Sequence, residues 1–143
     1  MSSSSSRVVE ITEIDELEKI AKKFPLNLIV MDFSATWCMP CKSIKPFYNE
    51  LSIQYKDCIF LAIDANDGEE LMDFFSISSL PTFIFMKQGK AFAKLEGADR
   101  DKLTEKIISS IDFDVSTLQK NEEEPQQTSE DIQQTSEDIQ QTE

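Results

Sequence analysis

The sequence contains no histidine, and this absence excludes several kinds of active site. Cys-His and Ser-His pairs are impossible, so any proton transfer has to use a carboxylate, a thiol or water. A structural zinc site usually needs four Cys or His ligands, and the chain has three cysteines, Cys38, Cys41 and Cys58. We therefore expect no metal site, and no dinucleotide-binding fingerprint is present.

Long apolar runs are also missing. No stretch approaches the roughly 18 residues of a membrane span. The opening "MSSSSSRVVE" lacks the apolar run of roughly 7 to 15 residues that a secretory signal requires. These features predict a cytoplasmic protein, with the nucleus as an open alternative, and no membrane partner. A structural disulfide framework is disfavoured in such a reducing environment.

Basic residues are scarce. The chain has 14 Lys and Arg against 27 Asp and Glu, a formal net charge of −13. A chain with this balance repels phosphate backbones and anionic surfaces, so nucleic acid is not expected as a partner. At 143 residues, with 40% hydrophobic residues, the chain suits one domain of about 100 residues plus an additional segment.

The hydrophobic pattern predicts alternating strands and helices. "RVVEI" is typical of a strand, and Thr12 is the expected cap of the helix in "TEIDELEKIAKKF". "LNLIVMDF" and "CIFLAID" are typical of strands buried on both faces, and helices are expected from Cys38 to about Tyr55 and in "GEELMDFFS". "PTFIFM" and "KAFAKLE" flank a hairpin turn, and "DRDKLTEKIISSI" is the last helix. This order predicts an α/β fold with a mixed sheet and helices on both faces.

The composition changes at about Asp114. "QQTSEDIQQTSEDIQQTE" is a heptad repeated twice and then cut short, and residues 114–143 hold nine acidic residues and one lysine. One isoleucine per repeat cannot bury enough apolar area to offset the entropy of ordering, which favours disorder over a coiled coil. We therefore divide the chain into a flexible start at 1–6, a domain at 7–113 and a disordered acidic repeat tail at 114–143.

Two cysteines lie two residues apart in "DFSATWCMPCKSIKPF", residues 32 to 47, where a buried strand leads into a helix. The alternatives for this pair are a structural disulfide, a metal site and a reaction centre. The reducing compartment expected for the chain disfavours a structural disulfide, and the lack of further Cys and His ligands disfavours a metal site. A CxxC pair in an intracellular chain with strand and helix patterning indicates redox chemistry.

These residues resemble a known family. "DFSATWCMPCKSIKPF", "SLPTFIFMKQGK" and "LEGAD" together look like the thioredoxins, especially those of the animal cytosol, across roughly residues 7 to 112. The resemblance implies the thioredoxin fold. Two features depart from the family pattern: Met39 stands where glycine is usual, and the acidic tail follows the point where the family chain usually ends.

The resemblance also implies roles for individual residues. Cys38 would be the attacking thiol, Cys41 the resolving thiol that closes a Cys38-Cys41 disulfide, and Asp32 a buried proton relay. Pro81 would be a cis-proline facing the cysteines. A substrate-binding collar would surround the sulfurs, formed by Trp37, Met39, Pro40, Leu80, Gly97 and Ala98. For Asp32 a water-facing strand end, and for Met39 and Ala98 ordinary packing, remain alternatives.

The implied function is reduction of client-protein disulfides through the CxxC pair, as part of cell redox homeostasis. No cofactor would be bound, because electrons would come from NADPH through thioredoxin reductase, and the chain would be a monomer. One alternative is a thioredoxin-like interaction module recruited by its tail, with incidental redox activity. A disulfide isomerase is a second alternative, which the missing secretory signal disfavours. Cys58 is expected to be a small buried hydrophobe, with a regulatory thiol as the alternative.

Overall fold

The structure, a computed structural model, describes residues 6–120 and has five strands and five helices in that range. The strands are β1 (Val9–Glu10), β2 (Ile29–Ser34), β3 (Ile59–Asp64), β4 (Thr82–Lys87) and β5 (Lys90–Glu96). The helices are α1 (Ile14–Lys23), α2 (Met39–Gln54), α3 (Glu69–Phe74), α4 (Arg100–Ile111) and α5 (Thr117–Lys120). The predicted order of strands and helices is confirmed, and α5 is an addition to it.

The strands form one mixed sheet in the order β1-β3-β2-β4-β5. The first three strands along the chain pair in parallel, whereas β4 is antiparallel to β2 and to β5. The β4–β5 hairpin turns at Gln88 and Gly89, which both have positive φ, as a two-residue hairpin turn requires. The mixed sheet predicted from the alternating elements is therefore confirmed, and β2 lies at its centre.

Alternation along β2 separates two cores. Ile29, Met31 and Phe33 belong to a cluster that contains the apolar side chains of α1 and α3. Val30 belongs to a second cluster with the apolar side chains of α2 and α4. Because successive side chains of a strand point to opposite faces, Asp32 shares the face of Val30. The carboxyl group therefore lies on the side of the sheet that α2 covers.

The start of α1 differs from the prediction. Glu13, not Thr12, occupies the position before the first helical residue. The Glu16 carboxylate accepts hydrogen bonds from the backbone N–H groups of Thr12, at 2.8 Å, and Glu13, at 3.1 Å. These two bonds lower the pKa of Glu16, the Thr12 bond most strongly. A glutamate three residues into the helix reaches back to the free N–H groups, so the threonine cap is not needed.

The chain packs on the domain beyond α4. Val115 is 2% exposed, and the rings of Phe92 and Phe113 stack with their centroids 4.5 Å apart. The buried Lys87 ammonium donates to the carbonyl groups of Ile111 and Phe113 at the end of α4, where a positive charge is favourable. The packed part therefore continues past the expected boundary at residue 113. Residues 1–5 and 121–143 lie outside the described residues, and the expected flexible start and disordered tail stay predictions.

This packing makes the effect of truncation depend on where the chain is cut. Deletion of residues 121–143 is expected to leave the thermal midpoint and insulin reduction nearly unchanged. Deletion of residues 114–143 also removes the buried Val115 side chain and is expected to lower the free energy of unfolding by about 2 kcal/mol. Denaturant unfolding of both truncated chains measures the difference. Equal stabilities would show that Val115 does not hold the segment on the domain.

Candidate active site

The two neighbouring cysteines lie where β2 gives way to α2. Cys38 is the residue that caps α2, and Cys41 lies in the first helical turn. They form a disulfide with their Cα atoms 5.3 Å apart, and the backbone N–H of Cys41 donates to Cys38 Sγ at 3.2 Å. The free N–H groups and the positive end of a helix stabilise an anion, so this position favours a Cys38 thiolate once the disulfide is reduced.

The two sulfurs differ in their access to the surface. Both cysteines are buried, in a small cluster with Ala35 on which Ala65 and Leu80 also pack. Cys38 contributes to the wall of an open groove of about 680 Å³, whereas Cys41 does not. A molecule in the groove therefore meets Cys38 before Cys41.

The groove contains part of the predicted collar and several residues that the sequence did not reveal. Four residues of the expected collar line it, namely Trp37, Met39, Pro40 and Leu80. Its other wall comes from residues after β3 and around the end of α3: Ala65, Met72, Ile77, Ser78 and Ser79. The apolar run in "LMDFFSI" is also typical of core packing, so no sequence signal distinguishes its groove-facing members.

The loop before β4 forms the edge of the groove. The Leu80–Pro81 peptide bond is cis, as the resemblance implies. The backbone N–H of Gly97 donates to the Pro81 carbonyl at 2.9 Å, so Gly97 supports this loop from β5. Neither Gly97 nor Ala98 lines the groove, although both were expected in the collar. The N–H and C=O groups of Leu80 have no hydrogen-bond partner within residues 6–120, which leaves them available to a bound chain.

Asp32 is buried beneath α2, and the residue as a whole is 4% exposed. Its Oδ1 atom has no hydrogen-bond partner among the described residues. Burial raises the pKa of Asp32 to about 7, and the charge of Lys45 opposes this rise. The charge of Asp32 in turn adds to burial in raising the pKa of Tyr48. Because Lys45 and Tyr48 lie one and two turns after Cys41, Asp32 lies under the first half of α2, and its burial rules out the water-facing alternative.

Cys58 lies away from this pair, directly before β3. It is buried, and it packs in the α2–α4 core with Phe60. Burial, and then the charge of Asp57, raise the pKa of its thiol to about 11, against a weaker opposite effect of Lys87. The thiol is therefore protonated at neutral pH, as expected of a small buried hydrophobe.

Within residues 6–120, no group of three or more Asp, Glu, Cys or His side chains is placed to hold a metal ion. In the same part of the chain, no helix is both long and apolar enough to cross a membrane.

Residues 8–109 match the Thioredoxin family. The chain belongs to the thioredoxin family. It is 38% identical to thioredoxin-1 of Caenorhabditis elegans over 96 residues, which cover 67% of this chain and 84% of that one. It is also 38% identical to the thioredoxin of Gallus gallus over 104 residues, which cover 73% of this chain and 99% of the relative. Residues 110–143 lie outside the family match.

Solved thioredoxin structures have the same fold. The thioredoxin NaTrxh of Nicotiana alata superposes with a TM-score of 0.70 at 37% identity, over 77% of this chain and 97% of the other. Together with the Cys38-Cys41 pair, membership of this family makes the chain a protein dithiol-disulfide oxidoreductase. Thioredoxins act on disulfide-containing substrates and need no bound cofactor.

Proposed function

We propose that Cys38 attacks client disulfides and that Cys41 resolves the resulting intermediate. The observation that carries this assignment is the position of Cys38, which caps α2 and lines the groove while Cys41 remains behind it. The Cys38 thiolate attacks one sulfur of the client disulfide, and a mixed disulfide forms as the first client thiolate leaves. Cys41 then attacks Cys38 Sγ, the second client thiolate leaves, and the Cys38-Cys41 disulfide closes.

Asp32 accepts the proton of Cys41 in the second step. A pKa of about 7 leaves the carboxyl group close to half ionised at neutral pH, which suits a general base. The carboxyl group lies beneath the helix that carries Cys41 and has an unpaired oxygen.

Clients bind in the groove as extended chain segments. The unpaired N–H and C=O groups of Leu80 provide hydrogen bonds that do not depend on the client's sequence. Pro81 fixes the course of this loop, while Trp37, Pro40 and Met39 supply apolar contacts. Gly97 supports the Pro81 carbonyl, and Ala98 is exposed next to it, outside the groove.

Electrons come from NADPH through a thioredoxin reductase, which reduces the Cys38-Cys41 disulfide after each turnover. The protein works as a monomer in the cytoplasm, with the nucleus as a second place of action. The thiol pool inside cells keeps most cysteines reduced, which is the state in which a disulfide reductase leaves its clients. Cell fractionation and sedimentation of the full chain test these two statements.

The decisive experiment is turnover of insulin disulfides with NADPH and a thioredoxin reductase. We expect the full chain to support continuous NADPH oxidation, and we expect Cys58→Ala to do so within about two-fold, because the buried Cys58 takes no part in the exchange. A chain that is folded but gives no turnover, even with dithiothreitol as reductant, would favour the interaction-module alternative.

A further inference from the structure

Met39 is the most exposed sulfur-bearing side chain among residues 6–120. Seventy per cent of its surface is accessible, whereas Met31 and Met86 are fully buried and Met72 is partly buried. Such exposure shows that the side chain contributes little to the core. Oxidation of methionine and cysteine sulfur follows accessibility, so this thioether is the first of these methionines that a dissolved oxidant meets.

The position of Met39 connects this accessibility to client binding. It is the first residue of α2, directly after Cys38, and it lines the groove beside Trp37 and Leu80. An unoxidised thioether is a flexible apolar group that adapts to the side chains of a bound chain. A polar group at the same place would be desolvated whenever a client bound over it, which would weaken the binding.

We propose that Met39 is an oxidation site at which hydrogen peroxide forms methionine sulfoxide, and that this modification weakens client binding. The proposal rests on the function proposed above, because it concerns the same groove. In the step, the thioether sulfur donates a lone pair to one peroxide oxygen and the O–O bond breaks. A sulfur–oxygen bond forms and, after proton transfer, one water leaves, so sulfur loses two electrons and peroxide gains them.

The disulfide state of the protein leaves Met39 without a competing thiol at the surface. Cys38 and Cys41 hold no thiol while they are bonded to each other. Cys58 is buried, and its thiol stays protonated because burial raises its pKa to about 11. Among the sulfur groups of residues 6–120, the Met39 thioether is therefore the one that peroxide meets first in the state that follows each turnover.

The first part of the test locates the modification. The full chain in its disulfide form is treated with hydrogen peroxide, quenched with catalase, reduced, digested with trypsin and sequenced by mass spectrometry. Met31 and Met39 lie in one tryptic peptide, residues 24–42, and fragment spectra separate them. The added oxygen is expected on Met39 before Met72, with Met31 and Met86 unmodified. Faster oxidation of Met72 than of Met39 would overturn the proposal.

The second part measures the consequence. Insulin reduction is followed with dithiothreitol as electron source, so that reductase binding does not enter. The KM for insulin is expected to rise roughly three- to ten-fold after peroxide treatment, with kcat little changed, since the sulfoxide must be desolvated when a client binds. An unchanged KM in a chain with oxidised Met39 would overturn the proposal.

Matched variants assign the effect to one residue. Met39→Leu and Met72→Leu are each compared with their own untreated preparation, because both residues line the groove. Peroxide is expected to leave the KM of Met39→Leu unchanged and to raise that of Met72→Leu as in the unaltered chain. The reverse pattern would overturn the proposal. Untreated insulin turnover is recorded first, so a failure of the proposed function is seen separately as an inactive untreated chain.

Discussion

Cys38→Ser is expected to abolish client reduction, with a loss of about a thousandfold or more, because a serine hydroxyl is not ionised at neutral pH and cannot form a mixed disulfide. Serine is itself a favourable residue at a helix N-cap, so α2 still begins at residue 39. The loss therefore reports chemistry and not unfolding, and an unchanged thermal midpoint measured beside the insulin assay checks this distinction.

Cys41→Ser is expected to fail at a later step. Cys38 still meets the client in the groove and forms a mixed disulfide, but no second sulfur releases it. Incubation with oxidised insulin should accumulate a covalent adduct that dithiothreitol cleaves, and peptide mapping should place it on Cys38. The Cys38→Ser chain is the matched control and should form no such adduct. An adduct through Cys41 in that control would reverse the assigned roles.

Asp32→Asn is expected to slow release of the mixed disulfide at neutral pH while making the fold more stable. Release slows because Cys41 loses the carboxylate that takes its proton. Stability rises because the ionised carboxylate is buried with an unpaired oxygen, and a neutral amide is cheaper to bury. Stopped-flow kinetics of client release and denaturant unfolding at pH 8 measure the two effects.

The pH dependence has a definite sign. The pKa of Asp32 is about 7 in the folded chain, compared with 3.8 for an unburied aspartate. The folded chain therefore holds this proton to higher pH, so stability falls as pH rises from about 4 to 7 and is lowest above that range. A difference of about 3 pKa units corresponds to about 4 kcal/mol. The buried amide of Asp32→Asn has unsatisfied groups of its own, which cost about 2 kcal/mol. The free energy of unfolding of Asp32→Asn should therefore exceed that of the unaltered chain by about 2 kcal/mol at pH 8.

The same substitution should lose its advantage in acid, where the carboxyl group is already protonated in both states. Below about pH 3 the carboxyl group has no ionisation cost, so Asp32→Asn should be less stable than the unaltered chain by the roughly 2 kcal/mol of the amide's unsatisfied groups. The rate of client release in the unaltered chain should rise through about pH 7, and Asp32→Asn should lack this inflection. Unchanged release kinetics together with lower stability at pH 8 would contradict the proposed role of Asp32.

The sequence predicted the parts of the structure that depend on local order. Apolar runs such as "LNLIVMDF" predicted the buried strand β2. The apolar spacing predicted a helix from Cys38 to about Tyr55, and the observed α2 is Met39–Gln54. Both signals arise from neighbours in the chain, because strand and helix periods are local properties. The place of Cys38 at the start of a helix follows from the same two elements and needs no knowledge of the rest of the fold.

The remainder depends on contacts between distant segments. Met72 and Ile77 reach the groove because α3 and the loop after it lie beside the start of α2, and nothing in "LMDFFSI" distinguishes this from core packing. Val115 is buried in a segment whose polar composition indicated disorder. At the start of α1, the local sequence predicted Thr12 as the helix cap. The longer side chain of Glu16 instead accepts hydrogen bonds from the backbone N–H groups of Thr12 and Glu13.

Competitive alkylation of the reduced full chain tests most directly the claim that the start of α2 makes Cys38 the nucleophile. Less than one equivalent of iodoacetamide is added at about pH 6, where an unassisted thiol is almost wholly protonated. Fragment spectra of the peptide that holds both residues then locate the label. The account predicts label on Cys38 first, with Cys41 and the buried Cys58 modified later. Label on Cys41 before Cys38 would contradict it.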